Sequence, residues 1–522
     1  MILKKIVSLQ RKRQYHTETM KIRYLFALCI LFAMPFRGYS QEQSIALPTI
    51  YIDTHGAAIG RDTRTPATIT IIHTSPADSI LLPSHSIGIK VRGKTSAGFP
   101  KKSYSIEFID STQTEIDVQL MDMRSDDDWI LDAMYVDHAR MRNRLCTDIW
   151  NAYNRIPHHD QEPEAINGTR GTFVEVMLNG EYNGLYCLTE RIDRKQLKLK
   201  KYKDEHRGVS FKAVTWDNLM GYCSYDPEAP TETLLWNGFE SEYPGEASHA
   251  GWEYLQEFLE FQSAKHTTDE EFAKAIHQHV HWDNLIDYTL LVNAVYAPDN
   301  IAKNIYLSIY NVQADRRMFF TPWDMDATFG RTYDGSFLGE YGFTGSVPFS
   351  NQLIGRLWER NVDNFRQALI KRWNELKHTT LSPDSVAARI NEYQKLFETT
   401  GAFAREQERW PALCAKDLAE ETAFMNAWYT HNVAVIDSTL SNTDTEINWH
   451  QEPQLYIADN HLIIDATDAS VTLYSTRGNV LYNAISTTQH RIALPYTGIY
   501  LIRITDKAGT YTQKILHSGT KD

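Results

Sequence analysis

The densest group of residues that could do chemistry lies in the middle of the chain. Asp299 and Asn304 stand five positions apart in a short polar segment, and Asp324 and Asp326 follow further along. Carboxylate and amide oxygens are the ligands that hard cations such as Mg²⁺ prefer. An aspartate can also accept the proton of an attacking hydroxyl group. The segment therefore predicts a site that combines a divalent cation with a general base.

The elements around these residues predict how they come together. Asp283 can cap a helix that runs through Tyr296 and that Pro298 ends. The loop of Asp299 and Asn304 follows, and a predicted β-hairpin of residues 305–310 and 318–322 then returns the chain to that loop. Protein kinases use the same parts in the same order: a catalytic aspartate, a metal-binding asparagine five positions later and, after a hairpin, a metal-binding aspartate.

Each of these residues also has an ordinary interpretation. Asp299 and Asn304 are typical of a turn after a helix stopped by proline. Asp324 and Asp326 alternate like strand positions, so Asp326 is either a direct metal ligand or a solvated or capping carboxylate. Lys303 is expected to be a surface cation rather than a catalytic one.

Composition sets the class of protein. The chain has 522 residues, of which 42% are hydrophobic and 23% charged, and this is typical of globular proteins. Its formal charge is −13, and eight of its 53 basic residues precede residue 41, so the remainder is more acidic still. A body of this charge lacks the cationic surface that nucleic acids require, which excludes general nucleic-acid binding.

The first forty residues resemble a targeting segment rather than part of the folded protein. Lys21 and Arg23 precede an apolar run from Tyr24 to Phe36, and small residues stand before Gln41. This pattern predicts a signal peptide at 1–40, with Met20 as the true start and an amphipathic N-terminal anchor as the alternative. No later segment is long and apolar enough to span a bilayer, so we expect a secreted or cell-surface protein, exported through the periplasm, with no transmembrane segment after signal removal.

The rest of the chain predicts an α+β protein. Period-two alternation in 103–108 places Tyr104, Ile106 and Phe108 on one face of a strand, and Asn179-Gly180 between apolar runs predicts a β-hairpin. After about residue 250 the spacing of apolar residues becomes helical, with one stretch at 351–376 and another at 382–439 that Pro411 divides. We expect a two-lobed body at 41–440.

A composition break at 441–445 predicts a linker at 441–450. Short strand-like runs then indicate a small C-terminal β-sandwich at 451–522. Four cysteines lie outside the predicted signal: Cys146, Cys187, Cys223 and Cys414. They are widely spaced and form no CxxC pair, which disfavours a typical zinc site. Four cysteines allow three disulfide pairings, and the sequence does not choose between them.

The sequence resembles the spore-coat-protein-H (CotH) family of kinase-like proteins over roughly residues 47–435. The resemblance rests on several motifs in one order: 92–96 (RGKTS), 100–104 (PKKSY), 128–131 (DWIL), 140–143 (RMRN), 179–190 (NGEYNGLYCLTE), 299–304 (DNIAKN) and 322–330 (PWDMDATFG). It implies a two-lobed atypical protein kinase fold without the usual glycine-rich phosphate loop. It also implies ATP and a divalent cation, Mg²⁺ or Mn²⁺, with phosphate transferred to a protein substrate or to the enzyme itself.

The resemblance assigns roles to single residues. Asp299 matches the catalytic aspartate, and Asn304 and Asp324 match the metal-binding pair. Arg92 and Lys102 are expected on strands of the first lobe, where a cation must contact the nucleotide phosphates, although either could be a solvated strand cation. Glu190 is expected at the hinge between the lobes, or else as a simple strand-end carboxylate. Neither Phe319 nor Phe320 matches an adenine-stacking residue, and both are expected in the core.

The C-terminal region has a resemblance of its own. Residues 471–478, 498–504 and 514–516 resemble a sorting domain of the type IX secretion system, which is typical of Bacteroidota. That resemblance implies the secretion machinery as a partner. The alternative is a small carbohydrate-binding or adhesive sandwich, which the absence of an obvious aromatic platform for sugar disfavours.

Three functions from different classes compete. The first is a secreted protein kinase that uses ATP and a divalent metal. The second is a cell-surface binding or structural protein that keeps the kinase-like fold without turnover. The third is a glycoside hydrolase that uses Asp324 and Asp326; it is disfavoured because residues two apart on a strand sit closer than the roughly 5–9.5 Å of a typical carboxylate pair, and because it leaves Asp299 and Asn304 without a role.

Overall fold

A computed structural model describes residues 46–443, except 74–78, 204–206, 217, 219, 221–230, 232, 246–250 and 339–350. In the C-terminal region it describes 454–517, except 459, 466–468, 476–478, 487–489 and 507–508. The predicted signal peptide, most of the predicted linker and Cys223 therefore lie outside the described residues. The described chain mixes helices and strands, and this confirms the α+β class.

The first part of the chain forms a β-barrel. Its strands, with a short ribbon of β5 and β6 beside them, are β1 (Pro48–Asp53), β2 (Thr65–His73), β3 (Ser79–Val91), β4 (Tyr104–Ile109), β5 (Val118–Gln119), β6 (Ser125–Asp126), β7 (Asp128–Asp132), β8 (Gly171–Leu178) and β9 (Glu181–Thr189). The order around the barrel is β1-β2-β3-β4-β7-β9-β8, and the parallel pairing of β1 with β8 closes it.

The barrel interior follows the predicted alternation. Tyr104, Ile106 and Phe108 of β4 are all buried in one apolar cluster with residues of the other barrel strands. Asn179 and Gly180 form the predicted turn between β8 and β9, and both have positive φ angles, 52° and 81°. Asparagine and glycine tolerate that conformation best, which explains why this dipeptide marks the hairpin.

A second sheet carries the residues that the sequence singled out. Its strands are β10 (Val209–Ala213), β11 (Leu235–Trp236), β12 (Phe239–Tyr243), β13 (Ile305–Ile309) and β14 (Phe319–Pro322). Their order is β11-β12-β10-β13-β14, and β13 and β14 form the predicted hairpin, with Ile305 paired to Pro322. Because the hairpin returns at Pro322, the segment after it lies beside the loop that precedes β13.

Helices account for most of the remaining body. They are α1 (Arg142–Tyr153), α2 (Arg194–Leu197), α3 (Trp252–Gln262), α4 (Asp269–His279), α5 (Trp282–Ala294), α6 (Gln352–Arg360), α7 (Phe365–Leu376), α8 (Pro383–Thr400), α9 (Ala402–Arg409) and α10 (Leu418–Thr443). The long predicted stretch at 382–439 is broken at Gly401 as well as near Pro411. Gly401 has a φ of 68°, a left-handed conformation that ends α8 and begins α9.

The capping prediction for α5 was wrong. His281 occupies the N-cap position, and Asp283 lies within the first turn instead. An acid there still interacts favourably with the positive end of the helix dipole, so the sequence signal was real but shifted by two residues. The helix ends at Ala294, four residues before Pro298.

The helices and the second sheet share the largest apolar core. It includes Trp150, Tyr288, Phe320, Trp373 and Trp428, each at most 1% exposed. Phe319 packs in a different cluster, so the two adjacent phenylalanines of β14 point to opposite faces and both serve the core, as expected. Among the described cysteines, Cys146, Cys187 and Cys414 are buried and free, without a disulfide.

The C-terminal region is all β. Its strands are β15 (Gln454–Ala458), β16 (His461–Asp465), β17 (Ala469–Ser475), β18 (Val480–Ser486), β19 (His490–Ala493), β20 (Gly498–Asp506) and β21 (Gly509–His517). They form two antiparallel sheets, β15-β16-β19 and β18-β17-β20-β21, and apolar residues of both belong to one buried cluster. Before this region, α10 continues to Thr443, into the segment predicted as linker.

Within the described part of the chain, no helix combines the length and apolar character needed to cross a bilayer.

Candidate active site

A cleft of about 460 Å³ gathers most of the predicted site residues. Its wall includes residues of the loop between β3 and β4, the segment after β7, strand β10 and the segments on either side of the β13–β14 hairpin. Of the predicted residues, those that line it are Arg92, Asp299, Asn304, Asp324 and Asp326. Lys102 and Glu190 do not line it.

Hydrogen bonds to backbone carbonyls hold the two polar segments together. The Asn300 side-chain amide donates to the carbonyl of Asn304 (3.1 Å) and to that of Trp323 (2.8 Å). The amide of Trp323 in turn donates to the Asn304 carbonyl at 3.0 Å. Asn304 and Asp324 both have positive φ angles, 57° and 54°. Left-handed backbone at non-glycine residues costs free energy and clusters at functional sites, so the geometry of this pair is specifically maintained.

Asp299 forms an ion pair with Lys303. The Lys303 Nζ lies 2.8 Å from Asp299 Oδ2, and the lysine side chain is 27% exposed and lines the cleft. Lys303 is therefore a partly exposed cation at the cleft, and its expected role as a surface rather than a catalytic cation stays a prediction. Asp299 lies in a 3₁₀ turn, Pro298–Ile301, and the backbone amide of Lys303 donates to the Asp299 carbonyl at 2.9 Å, so the two residues of the ion pair stand one turn apart.

Several aspartates lie close together in the cleft. Burial raises the pKa of Asp324, and the nearby carboxylates of Asp132 and Asp299 raise it further, although Arg92 and Lys212 act in the opposite direction. Burial also raises the pKa of Asp326 well above its ordinary range, and Asp324 adds to this shift. Carboxylates in this situation favour a bound cation, because it removes the repulsion between them.

Asp132 completes the acidic group, and the sequence analysis missed it. Asn143 donates from Nδ2 to Asp132 Oδ2 at 2.8 Å, and its Oδ1 accepts the backbone amide of Met325 at 3.0 Å. Asn143 thereby fixes Asp132 against the Asp324–Asp326 segment. The signal was present in the sequence: Asp132 directly follows the motif at 128–131, and Asn143 ends the motif at 140–143.

A tighter group of acids lies outside the cleft, and it surrounds a lysine rather than forming an open metal site. Among the described residues, Asp117, Asp126 and Asp127 bring carboxylate oxygens within 4.8 Å of one another. Lys195 already occupies their centre, with its Nζ 2.9 Å from Asp117 and 2.8 Å from Asp126 and in contact with Asp127. The cleft aspartates are spaced more widely, and this suits a cation that takes some ligands from phosphate and water, as Mg²⁺ does.

The family comparison gives the same answer as the motifs. The family model described as CotH kinase protein matches residues 89–439. The chain belongs to the CotH family. A curated relative, "Inner spore coat protein H" of Bacillus subtilis (strain 168), is 27% identical over 249 residues. That match covers 48% of this chain and 60% of the relative, so the chain spans less than two thirds of the relative's length.

In this CotH-family chain, Lys101 lines the cleft and the adjacent Lys102 does not. Lys101 is fully buried, and its Nζ donates to Glu406 Oε1 at 2.7 Å and to the Leu185 carbonyl at 2.5 Å. Lys102 instead donates to the Ala97 carbonyl at 2.8 Å and lies outside the cleft wall. Both Arg92 and Lys102 lie in the loop between β3 and β4, not on strands as predicted.

Glu406 of α9 holds Lys101 in place. Its Oε1 also accepts Arg140 Nε at 2.8 Å, and its Oε2 accepts the backbone amide of Leu185 at 2.8 Å. Burial would raise the pKa of Glu406, but Lys101 and Arg140 together hold it below its ordinary value. Burial lowers the pKa of Lys101 to about 8 despite the pairing. Glu406 was missed because nothing local distinguishes it from other helix acids.

A second buried network secures the segment after Asp326. Arg142 bonds to Asp137 Oδ1 at 2.6 Å and to Glu421 Oε1 at 2.7 Å, and its Nε donates to the Thr328 carbonyl at 3.1 Å. Arg331 reaches the same glutamate at 2.6 Å. These contacts connect α10 to the segment that follows Asp326. Arg142 of the 140–143 motif therefore supports the cleft without lining it.

Glu190 has a structural role rather than a place at the cleft. It is 1% exposed, and it accepts the backbone amides of Arg124 and Arg170 at 2.9 and 2.8 Å and the Gln196 side chain at 2.9 Å. Glu190 directly follows β9, the last strand of the barrel, whereas the segment 133–136, which lines the cleft, follows β7. After 133–136 the chain forms α1 and then returns to the barrel through β8 and β9, so it leaves the barrel for the second sheet only after Thr189.

Aromatic residues line the cleft near this segment. Phe99 and Tyr135 pack against each other with ring centroids 5.5 Å apart, and both line the cleft, as does Tyr333. The sequence matched no residue to the role of stacking on adenine, because Phe99 lies in a loop and Tyr135 lies outside any predicted element. Flat aromatic side chains provide the kind of surface on which a nucleobase stacks.

Proposed function

We propose that this chain is a secreted atypical protein kinase that transfers the γ-phosphoryl group of ATP to a protein hydroxyl group with Mg²⁺ or Mn²⁺. The observation that supports it is the convergence of Asp299, Asn304 and Asp324 with a buried lysine in one cleft. This is the set of parts that phosphoryl transfer requires: a group for the acceptor proton, oxygen ligands for metal and a cation for the phosphates. Membership of the CotH family agrees with it.

The proposal extends to the architecture. We interpret the barrel as the lobe that covers the nucleotide and the helices with the second sheet as the other lobe. The cleft is lined by residues of both parts. We interpret the two sheets of the C-terminal region, which share a buried cluster, as a β-sandwich.

Each cleft residue then has a role. Asn304 and Asp324, with Asp326, would hold the metal, and the metal would neutralise charge on the transferring phosphoryl group. The acceptor oxygen forms a bond to the γ-phosphorus as the bond to the bridging oxygen of ADP breaks, and the hydroxyl proton passes to Asp299. Lys101 would contact the nucleotide phosphates. Phe99 and Tyr135 would face the base.

A thermal-shift assay with matched transfer measurements tests the proposal. ATP should raise the melting temperature of the wild type only with Mg²⁺ or Mn²⁺, and ligand at about 100 times its Kd corresponds to about 2.7 kcal/mol. Asp324→Ala should remove the shift by removing a metal ligand. Asp299→Ala should keep most of the shift but lose autophosphorylation from radiolabelled ATP. Absence of a metal-dependent shift in the wild type would rule out the nucleotide site.

A second candidate is a binding protein that keeps the fold without turnover. The Asp299–Lys303 ion pair at 2.8 Å favours it, because the proposed base is already engaged. A metal-dependent ATP shift in the wild type, with no labelling of itself or of an offered protein acceptor, would support this candidate. Labelling that depends on Asp299 would exclude it.

We further propose export through the periplasm, with the C-terminal region acting as a type IX sorting signal read by the secretion machinery. The strand pattern of that region and its resemblance to sorting domains support this proposal. Fusing residues 444–522 to a reporter in a Bacteroidota host tests it: the reporter should reach the cell surface, and a fusion that stays in the periplasm would contradict it.

A further inference from the structure

Helix α9 and the tryptophan that follows it bind the backbone of the barrel strand β9. Trp410 Nε1 donates to the Asn183 carbonyl at 2.8 Å, and Glu406 Oε2 accepts the Leu185 amide at 2.8 Å. These bonds join residues that stand 227 and 221 positions apart in the chain. We refer to residues 402–410 as the α9 segment.

Gly184 allows the α9 segment to approach β9 this closely. It lies between the two strand residues that the segment binds, and its φ angle is 120°, a positive value that glycine tolerates best. A Cβ atom on Gly184 would stand 2.5 Å from Glu406 Oε2 and 3.0 Å from Trp410 Nε1. The backbone conformation and the available space therefore both require glycine at this position.

The α9 segment contacts two residues of the cleft wall. Glu406 binds Lys101 Nζ at 2.7 Å, and the Trp410 ring meets the Tyr135 ring edge-on, with centroids 6.3 Å apart. Arg140 connects the two contacts, because it bonds to Glu406 at 2.8 Å and donates to the Tyr135 carbonyl at 2.8 Å. Lys101 and Tyr135 line the cleft, whereas the α9 segment does not.

The bonds on Lys101 leave it able to bind a ligand. An ammonium group has three N–H donors. Two of them serve Glu406 Oε1 at 2.7 Å and the Leu185 carbonyl at 2.5 Å, so one remains in a side chain that lines the cleft. A nucleotide phosphate can therefore bind Lys101 without breaking its pair with Glu406, and the pair fixes the direction of the remaining donor.

Apolar burial contributes little to holding α9 in place. Among its eight residues, those with buried side chains are Ala402, Phe403 and Glu406. Gly401, with a φ of 68°, separates it from the preceding helix. Elements with few buried apolar contacts open at a lower free energy than the rest of a fold. Docking of the α9 segment thus depends largely on its polar contacts, including the one to Lys101.

We propose that Glu406 and Trp410 are positioning residues of the nucleotide site, and that docking of the α9 segment against Gly184 and binding of ATP with Mg²⁺ stabilise each other. This inference rests on the proposed kinase function and extends it to a segment outside the cleft wall. A ligand that binds Lys101 and Tyr135 in their docked positions must also favour the docked segment, because coupling between two equilibria is reciprocal.

Hydrogen exchange and calorimetry on the full chain test the coupling. The probe is a non-hydrolysable ATP analogue with Mg²⁺. In the wild type, saturating analogue should slow amide exchange in 402–410 about tenfold, a typical size for coupled sites, and should change exchange in α4 (Asp269–His279) little. Gly184→Ala should speed exchange in 402–410 and weaken binding of the analogue about tenfold, which equals about 1.4 kcal/mol.

Substitutions of the tryptophan test the same coupling without a change of backbone. Trp410→Leu removes both the bond to the Asn183 carbonyl and the ring that meets Tyr135, and it should weaken binding of the analogue about fivefold. Trp410→Phe keeps a ring beside Tyr135 and should recover part of this affinity. Near-ultraviolet circular dichroism should show that both variants are folded.

Two matched controls separate positioning from overall stability. Gly56 also has a positive φ, 82°, but an added Cβ would meet no atom within 4 Å, so Gly56→Ala should keep the affinity of the wild type. Trp358 of α6 is half-buried beneath Arg366, at 5.2 Å, and Trp358→Leu should likewise leave the affinity unchanged.

Several results would overturn the inference. One is an affinity like that of the wild type in folded Gly184→Ala and Trp410→Leu. Another is exchange in 402–410 that the bound analogue leaves unchanged. Equal losses of affinity in the two controls would overturn it too, since overall stability would then explain the effect. If Gly184→Ala does not fold, the two variants of Trp410 decide. Absence of analogue binding by the wild type would reject the kinase proposal itself, and the coupling with it.

Discussion

Two groups of buried charge lie at the cleft, and they differ in how completely they are paired. Around Glu406, two cations and a backbone amide bind both carboxylate oxygens at 2.7–2.8 Å. Among the aspartates at 324 and 326, burial and mutual repulsion raise the pKa of each carboxyl group. Complete pairing offsets the free-energy cost of burying the charges, whereas incomplete pairing leaves part of that cost until a ligand completes it. The difference separates the scaffold of the site from its binding surface.

Breaking the paired group should have the largest effect. Glu406→Gln leaves Lys101 and Arg140 as buried cations without their acid, and removal of one partner from a buried ion pair costs about 3–5 kcal/mol. Chemical denaturation should show this loss in the free energy of unfolding. Glu408→Gln, on the exposed side of the same helix, is the control and should change it little. Similar small losses in both variants would show that the charges near Glu406 are not tightly coupled.

The adjacent lysines provide a sharper test of the same comparison. Lys101→Met should destabilise the protein by about 2 kcal/mol, because it removes one of the two cations that compensate Glu406, and it should abolish the metal-dependent ATP shift. Lys102→Met loses only a bond to the Ala97 carbonyl and should keep the shift. Differential scanning fluorimetry with and without Mg²⁺ and ATP measures both effects. A lost shift in Lys102→Met alone would reverse the assignment.

Neutralising an unpaired acid should have the opposite sign. Asp326→Asn removes a carboxyl group whose pKa is raised well above its ordinary range, first by burial and then by the charge of Asp324. One pKa unit corresponds to about 1.4 kcal/mol, so the metal-free variant should gain roughly 1 kcal/mol of stability while binding Mg²⁺ more weakly. Asp334→Asn is a matched control of opposite sign, because hydrogen bonds from Thr332 and Ser336 hold the pKa of Asp334 at about 2. Destabilisation by both substitutions would contradict the interpretation.

The smallest effect should appear in the dependence of stability on pH. An acid whose pKa is higher in the folded state binds its proton more tightly there, so its contribution is complete below the ordinary aspartate range and is lost as the pH rises through the raised pKa. In EDTA, the stability of the wild type relative to Asp326→Asn should therefore fall as the pH rises. Excess Mg²⁺ should suppress this fall. A difference that stays constant with pH in EDTA would show that Asp326 titrates normally.

Local patterns predicted local structure well. The buried face of Tyr104, Ile106 and Phe108, the Asn-Gly turn and the β13–β14 hairpin all depend on residues close together in the sequence, where side-chain period and turn preference dominate. The order of Asp299, Asn304 and Asp324 was readable for the same reason, because one hairpin separates them.

Long-range contacts could not be predicted in this way. Glu406 meets Lys101 across 305 positions, and no local pattern distinguishes it from other acids of the helical region. Lys101 and Lys102 are adjacent and identical in type, and they lie in a loop, where strand alternation gives no rule for which side chain turns inward.

The closure of the barrel by β1 and β8 has a consequence for solubility. A closed sheet has no row of free backbone donors and acceptors on which another chain could add a strand. In the second sheet the outer strands are short: β11 has two residues, and β14 has four and ends at Pro322. Proline and short edges both hinder strand addition. Within the described part of the body, strand addition to either sheet is thus hindered, and copies of this body that meet at high concentration would associate mainly through side chains.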